Sequence, residues 1–232
     1  MRSQIIYICS LRSQQVFFLL LSIFACSVSV YYACKAENMA GFAHLLDAIP
    51  MFVGGAGSIG IAGIYSAGSF NYHLVRYPRK VQVMAQSILA YTFLALASMA
   101  LLFTLCAAVS ISIGIPYGYQ FDYSSLMYAF LKFMLLVFLF SLMGAVLGFF
   151  GRSVALSLFT YMGIVWFLPI IAAFLAIITE TLSEFMTQHT VPFLAVALAK
   201  GDTGGFLSAL AEFGLWVAVA FVAGYYRLRS DK

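Results

Sequence analysis

The sequence predicts an all-α membrane protein, and three observations carry that prediction. Hydrophobic residues make up 64% of the 232-residue chain and charged ones 9%, with a mean hydropathy of +1.01. That leaves too little polar surface to cover a soluble globule. Six apolar stretches approach or exceed the roughly 20 residues that a helix needs to cross a hydrocarbon core about 30 Å thick. Charge is also sorted by loop: nine of the twelve Lys and Arg fall in alternate gaps between those stretches, and seven of the eight acids fall in the other gaps or their flanks.

The six spans lie near Val16 to Tyr32, Ile49 to Ala67, Val83 to Ile113, Met127 to Phe150, Ser153 to Ile178 and Phe206 to Tyr226, within a single transmembrane domain covering residues 1–232. Backbone amides in lipid must pair internally, which leaves helices or a closed barrel. These runs lack the in/out alternation of a barrel strand, so they are helices. The third and fifth exceed the length of a span and are expected to tilt or project. A cleaved signal peptide is the competing reading of the first run, because Arg2 and Arg12 precede it and small residues follow it; its length favours a retained helix.

Arg2 and Arg12 precede the first span, Arg76, Arg79 and Lys80 follow the second, Arg152 follows the fourth, and Arg227, Arg229 and Lys232 follow the sixth. The positive-inside rule puts all of these on the cytoplasmic side, and both termini with them. The opposite loops hold Glu37, Asp47, Asp122, Glu180, Glu184 and Asp202, with Lys35 and Lys200 as their bases. Lys132 and Glu212 are placed just inside outer helix ends. Lys132 can snorkel there. Glu212 reads as a carboxylate near a helix N-terminus or, alternatively, as the lining of a possible outer cavity.

Several chemistries are excluded by their missing parts. Gly55, Gly57 and Gly60 spell GxGxxG inside a span, without the strand and acid that a dinucleotide site needs. They read as a close-packing face, as do Gly144 and Gly148, with contacts inside one subunit favoured over dimer contacts. Ser58 has Ala56 where a nucleophile elbow needs glycine, and His44, His73 and His189 all read as loop residues. No HExxH and no P-loop pattern occurs. Cys9, Cys26, Cys34 and Cys106 show no metal-ligand spacing, and no disulfide or metal site is predicted. The spans are nearly bare of ionisable groups at mid-depth, where a proton or sodium relay would need them. An enzyme is therefore not expected.

The most distinctive loop is Ser69 to Gln82. Phe70, Leu74 and Tyr77 recur at i, i+4 and i+7 on one face of a short helix, while Asn71, His73 and Arg76 point elsewhere. Ser69 can cap its start, and Pro78 ends it by excluding helix at the residue before. Arg79 and Lys80 then open the next long helix. Its plain reading is an interfacial turn with its cations on lipid phosphates; the alternative is a docking knob for a cytosolic partner.

These features together resemble the permease subunit of a type-2 ATP-binding-cassette exporter: six spans with both termini inside, a compact segment after the second span, a long third helix, and an outer insertion before the sixth. The local pattern GSFNYHLVRYPRKVQVMAQ is similar to that family's coupling helix running into its third span. The resemblance implies that Phe70, Asn71, Tyr72, His73, Leu74, Arg76, Tyr77, Arg79 and Lys80 dock on a separate cytosolic ATPase, which carries ATP and Mg; no cofactor and no catalytic residue is expected on this chain.

The resemblance further implies that Thr179 to Gly205 is an extracellular helical hairpin, with Leu182, Phe185 and Met186 on one apolar face and Pro192 dividing it. It implies a second permease copy or homologue, a bacterial inner (plasma) membrane location, and outward movement of a hydrophobic or amphipathic cargo such as a peptide, lipid or drug. Spans two and five would contribute to its lining. The front departs from the family, since only about fifteen residues precede the first span, and no second ATPase contact is assigned to Gln4 to Gln15. The alternatives are a membrane sensor or assembly subunit, and an ATP-independent channel or carrier.

Overall fold

A computed structural model describes residues 12–34, 38–66, 80–117, 122–175, 177, 179–200 and 203–229. Among these residues there are helices and no strands. They form α1 (Arg12–Cys34), α2 (Asn38–Ser66), α3 (Lys80–Gly114), α4 (Tyr123–Gly151), α5 (Val154–Leu175), α6 (Glu180–Gln188), α7 (Val191–Lys200) and α8 (Thr203–Arg229). Five of them, all but α1, α6 and α7, are long and apolar enough to cross a membrane; the apolar part of α1, Gln15–Tyr31, is shorter. The chain is thus an all-α protein of membrane type, with each expected span matched by a helix.

α4 is the axis of the bundle. In its most apolar stretch 72% of residues are buried, against 17% in those of α5 and α8. α2, α3, α5 and α8 all pack on α4, and α1 lies across α2 and α3. α1 turns Leu21, Ala25 and Ser29 inward at i, i+4 and i+8 and leaves Leu19, Leu20, Ile23 and Phe24 exposed. A wide exposed apolar face is what lipid requires, so inter-helix contact depends on close packing rather than on hydrophobic expulsion from water.

Three helix ends depart from expectation for physical reasons. α2 begins at Asn38, before the expected span, and runs through Pro50. His44 and Asp47, read as loop residues, therefore stand on helical backbone. α5 ends at Leu175 rather than at Ile178 and carries a π turn over Gly163–Phe167, so it is not the overlong helix expected. Pro169, which has no N–H to donate, lies two residues after this wide turn, where a break in the i→i−4 ladder is already present. α8 starts at Thr203, which makes Glu212 a third-turn residue, beyond the reach of the N-terminal dipole.

The α4–α5 corner is very short. Arg152 adopts φ 57°, its N–H donates to Gly148 O, and Ser153 caps α5 by accepting from Leu156 N at 3.3 Å. Left-handed backbone costs a residue with a Cβ about 1 kcal/mol, and glycine would avoid it.

At the other end of α4, Asp122 is the N-cap. Its carboxylate accepts from Ser124 Oγ at 2.6 Å, Ser125 Oγ at 2.5 Å and Ser124 N at 3.0 Å. The Ser124 hydroxyl, then Ser125 and the Ser124 amide, favour the ionised form and pull its pKa from 3.8 down to about 2. A pKa depressed on folding stabilises above the unfolded value and is lost as pH falls through the folded one. The stability advantage of wild type over Asp122→Asn should therefore be constant above about pH 5 and shrink between about pH 4 and pH 2, read from thermal unfolding in detergent at each pH. An advantage that does not change with pH would refute the cap's role.

Candidate functional site

Two glycine patterns that the sequence presents separately meet at the centre of the bundle. A Cβ placed on Gly144 of α4 would overlap the carbonyl of Gly54 in α2. One on Gly148 would lie 2.7 Å from Ile61 Cβ and 2.9 Å from Ser58 O, and one on Gly57 would lie 2.7 Å from Tyr91 Cε1. The GxxxG of α4 and the glycine run of α2 are thus one intrachain crossing.

Two tyrosines frame it. Tyr91 of α3 donates its hydroxyl to Val53 O at 2.8 Å, and Tyr161 of α5 donates to Met51 O at 2.5 Å. Both side chains are buried, and each polar tip is satisfied by a carbonyl of the α2 turn that follows Pro50. Ser58 is buried as well and donates back to Gly55 O at 2.8 Å.

Beside this crossing, α1, α2 and α5 leave a groove of about 420 Å³ lined by Phe17, Met51, Phe52, Gly55, Tyr161 and Trp166, among others. Phe52 and Trp166 sit across from each other with ring centroids 5.8 Å apart. With its tyrosine hydroxyl directed to Met51 O, the groove presents carbon and the two aromatic faces. It can hold an apolar group and offers almost nothing to an ion.

A second cluster lies at the end of the bundle marked by Asp122. His189, at the bend between α6 and α7, has Nδ1 2.8 Å from Glu212 Oε2 of α8. Trp216 Nε1, one turn further along α8, donates to His189 O at 3.2 Å, and the Phe185 ring lies 4.5 Å from that of His189. Lys132 of α4 donates to Ala199 O in the last turn of α7 and stands 4.1 Å above the Tyr128 ring. A cation there answers carbonyls that the helix leaves open. Ser183 Oγ donates to Ala172 O at 2.8 Å and ties α6 to α5. The elbow of α6 and α7 is therefore strapped to α4, α5 and α8.

Of the expected docking residues, Lys80 opens α3 and is half-buried; Phe70, Asn71, Tyr72, His73, Leu74, Arg76, Tyr77 and Arg79 lie outside the described residues. Glu212 stands in the third turn of α8, further from the helix start than the sequence puts it, with His189 as its partner. The elbow has two short helices as expected, broken at His189 and Thr190, with Pro192 in the first turn of α7. Its apolar face differs: Phe185 is exposed, while Ser183 turns inward. Neither a family model nor a curated protein matches this chain.

Tyr91, Tyr161 and Trp216 were not singled out by the sequence. The signal was available in part: an aromatic with a polar tip deep in a span must find an acceptor, and a helix next to Pro and glycines offers exposed carbonyls.

Proposed function

We propose that this chain is the membrane-spanning permease subunit of an ATP-driven exporter, with α1 as a sixth span and both termini cytoplasmic. One observation carries the reading. α2 ends at Ser66, the 35-residue α3 opens at Lys80, and a strapped two-helix elbow, α6 and α7, precedes the last helix. That element order suits a docking segment at residues 67–79 whose motion is passed to the bundle through a long third helix.

The groove between α1, α2 and α5 suits a hydrophobic or amphipathic cargo, and the wide exposed faces suit lipid together with a second permease copy. ATP and Mg would be bound by the partner ATPase. This chain's contribution is mechanical and steric, since the groove supplies apolar surface and no reacting group.

Purification from the native membrane tests the reading. A P-loop ATPase is expected to accompany the wild-type chain, and Leu74→Asp with Tyr77→Asp should reduce its recovery at least tenfold while leaving the yield of the membrane chain unchanged, because two carboxylates would enter an apolar docking face. If wild type brings no ATPase, the exporter reading fails. Binding without any ATP-dependent cargo movement would favour a sensor or assembly subunit, and cargo movement without an ATPase a channel or carrier.

A further inference from the structure

Two thiols that are distant in the sequence come together where α1 packs along α3. On α1, Cys26 is half-buried and Ser29, one turn later, is buried; on α3, Leu102 and Cys106, also one turn apart, are both buried. A groove of about 490 Å³ between the two helices fixes their register, with Cys26 and Ser27 lining its α1 side where Leu102 and Leu105 line its α3 side. Cys106 follows directly after Leu105 but turns into the helix interface, where its thiol meets the side chains of Cys26 and Ser29. Among the described residues no group of three His, Cys, Asp or Glu gathers here or elsewhere. The chemistry on offer is that of two neighbouring thiols.

Their depth and access narrow that chemistry. Each cysteine stands eight residues before the last residue of its helix, Cys34 or Gly114, which is about 12 Å along a helix. Both therefore lie within apolar helix, away from the water at its end. The groove that borders Cys26 is flanked by Ile23, Leu101 and Leu105, all exposed on the outside of the bundle. A reagent dissolved in lipid can reach this thiol directly, whereas an ionic one must leave water to do so.

We propose that Cys26 and Cys106 form a reversible disulfide that staples α1 to α3, made by a lipid-soluble quinone that reaches Cys26 through the groove. Both S–H bonds break and one S–S bond forms; two protons and two electrons pass to the quinone, which leaves as the quinol. A disulfide joins Cβ atoms about 3.8 Å apart, so the two thiols, already side by side, need a change of side-chain rotamer and a small approach of the helices. The link closes a long loop, the kind of cross-link that restricts the unfolded chain most. It also fastens α1, the helix that lies across α2 and α3, to the rest of the bundle. The staple does not depend on the exporter reading.

The full wild-type chain, reduced and reconstituted in phosphatidylcholine, is treated with duroquinone, whose fully substituted ring leaves no open carbon for a thiol to add to. It is then digested with trypsin without reductant. A peptide of α1 joined to a peptide of α3, lighter than their sum by the mass of two hydrogens, is expected in most of the chain, and dithiothreitol should separate the two. Cys26→Ala and Cys106→Ala should each abolish the link, and Cys34→Ala should leave it unchanged. The linked chain should unfold in detergent at a temperature higher by roughly 5 °C, a gain lost on reduction. No joined peptide in the wild type would overturn the proposal, as would a link that persists in Cys26→Ala or Cys106→Ala and so runs through Cys9 or Cys34. An unfolding temperature that linkage leaves unchanged would show that the bond, though formed, is not a staple.

Discussion

Gly144→Leu is expected to abolish the native bundle, and Gly144→Ala to lower its stability by about 3 kcal/mol or more. In most exposed helical positions glycine to alanine helps, by up to about 1 kcal/mol, because alanine has less backbone freedom to lose. Gly214 of α8, with nothing within 4 Å of an added Cβ, should show that gain. At Gly144 the atoms in the way are the backbone O, C and Cα of Gly54, and a backbone cannot rotate aside as a side chain can. Relief requires α2 and α4 to separate, which loosens the whole crossing, and overpacking of this kind costs roughly 1–3 kcal/mol even where side chains can adjust. Thermal unfolding in detergent, followed by exposure of buried cysteine to a thiol dye, reads the effect; Cys106 is buried in the core. Equal stability of Gly144→Ala and Gly214→Ala would show that the crossing is not as tight as the structure has it.

Which glycines meet was hidden in the sequence, although the presence of packing faces was plain. A glycine pattern shows that some backbone comes close; it does not name the partner helix, because each span is apolar on every side and hydropathy cannot fix its rotation. The spans themselves were legible for the opposite reason. Bilayer thickness sets helix length whatever the contacts, so Tyr123–Gly151 and Thr203–Arg229 fall within a few residues of their expected ends. The second span was expected to start at Ile49, where the apolar run begins, whereas the helix begins at Asn38 and continues through Pro50. The π turn at Gly163–Phe167 leaves no sequence mark beyond Pro169 nearby.

The candidate sites divide in the same way. Glu212 was recognisable as a costly carboxylate in an apolar run, but His189, at the end of a different element, becomes its partner only when the α6–α7 elbow folds back on α8. Lys80, Arg152 and Arg227 were each assigned to the basic side by counting loops, whereas the Gly224 contact that brings α3, α4 and α8 together at one level shows only in the structure.

Tyr161→Ala should cost about 3–5 kcal/mol, the usual range for deleting a buried aromatic ring, while Tyr161→Phe should cost only about 0.5–1 kcal/mol, as hydrogen bonds between membrane helices do. The ring fills the space above Gly54 and Gly55, where a Cβ on Gly55 would come 3.5 Å from Tyr161 Cε1. The hydroxyl adds a bond to Met51 O, a carbonyl already in helical register with Gly55 N, so its loss strands no acceptor. Tyr91→Phe should behave similarly, since Val53 O is in register with Gly57 N. The two bonds hold the same turn of α2 from opposite sides, next to a proline that weakens that turn. Removing one leaves the other to restrain it, so the double phenylalanine variant should cost more than the sum of the singles, by roughly 0.5 kcal/mol or more. Strict additivity would mean that the ring packing alone holds α2, and a Phe variant as damaging as the Ala variant would mean that the hydroxyls do.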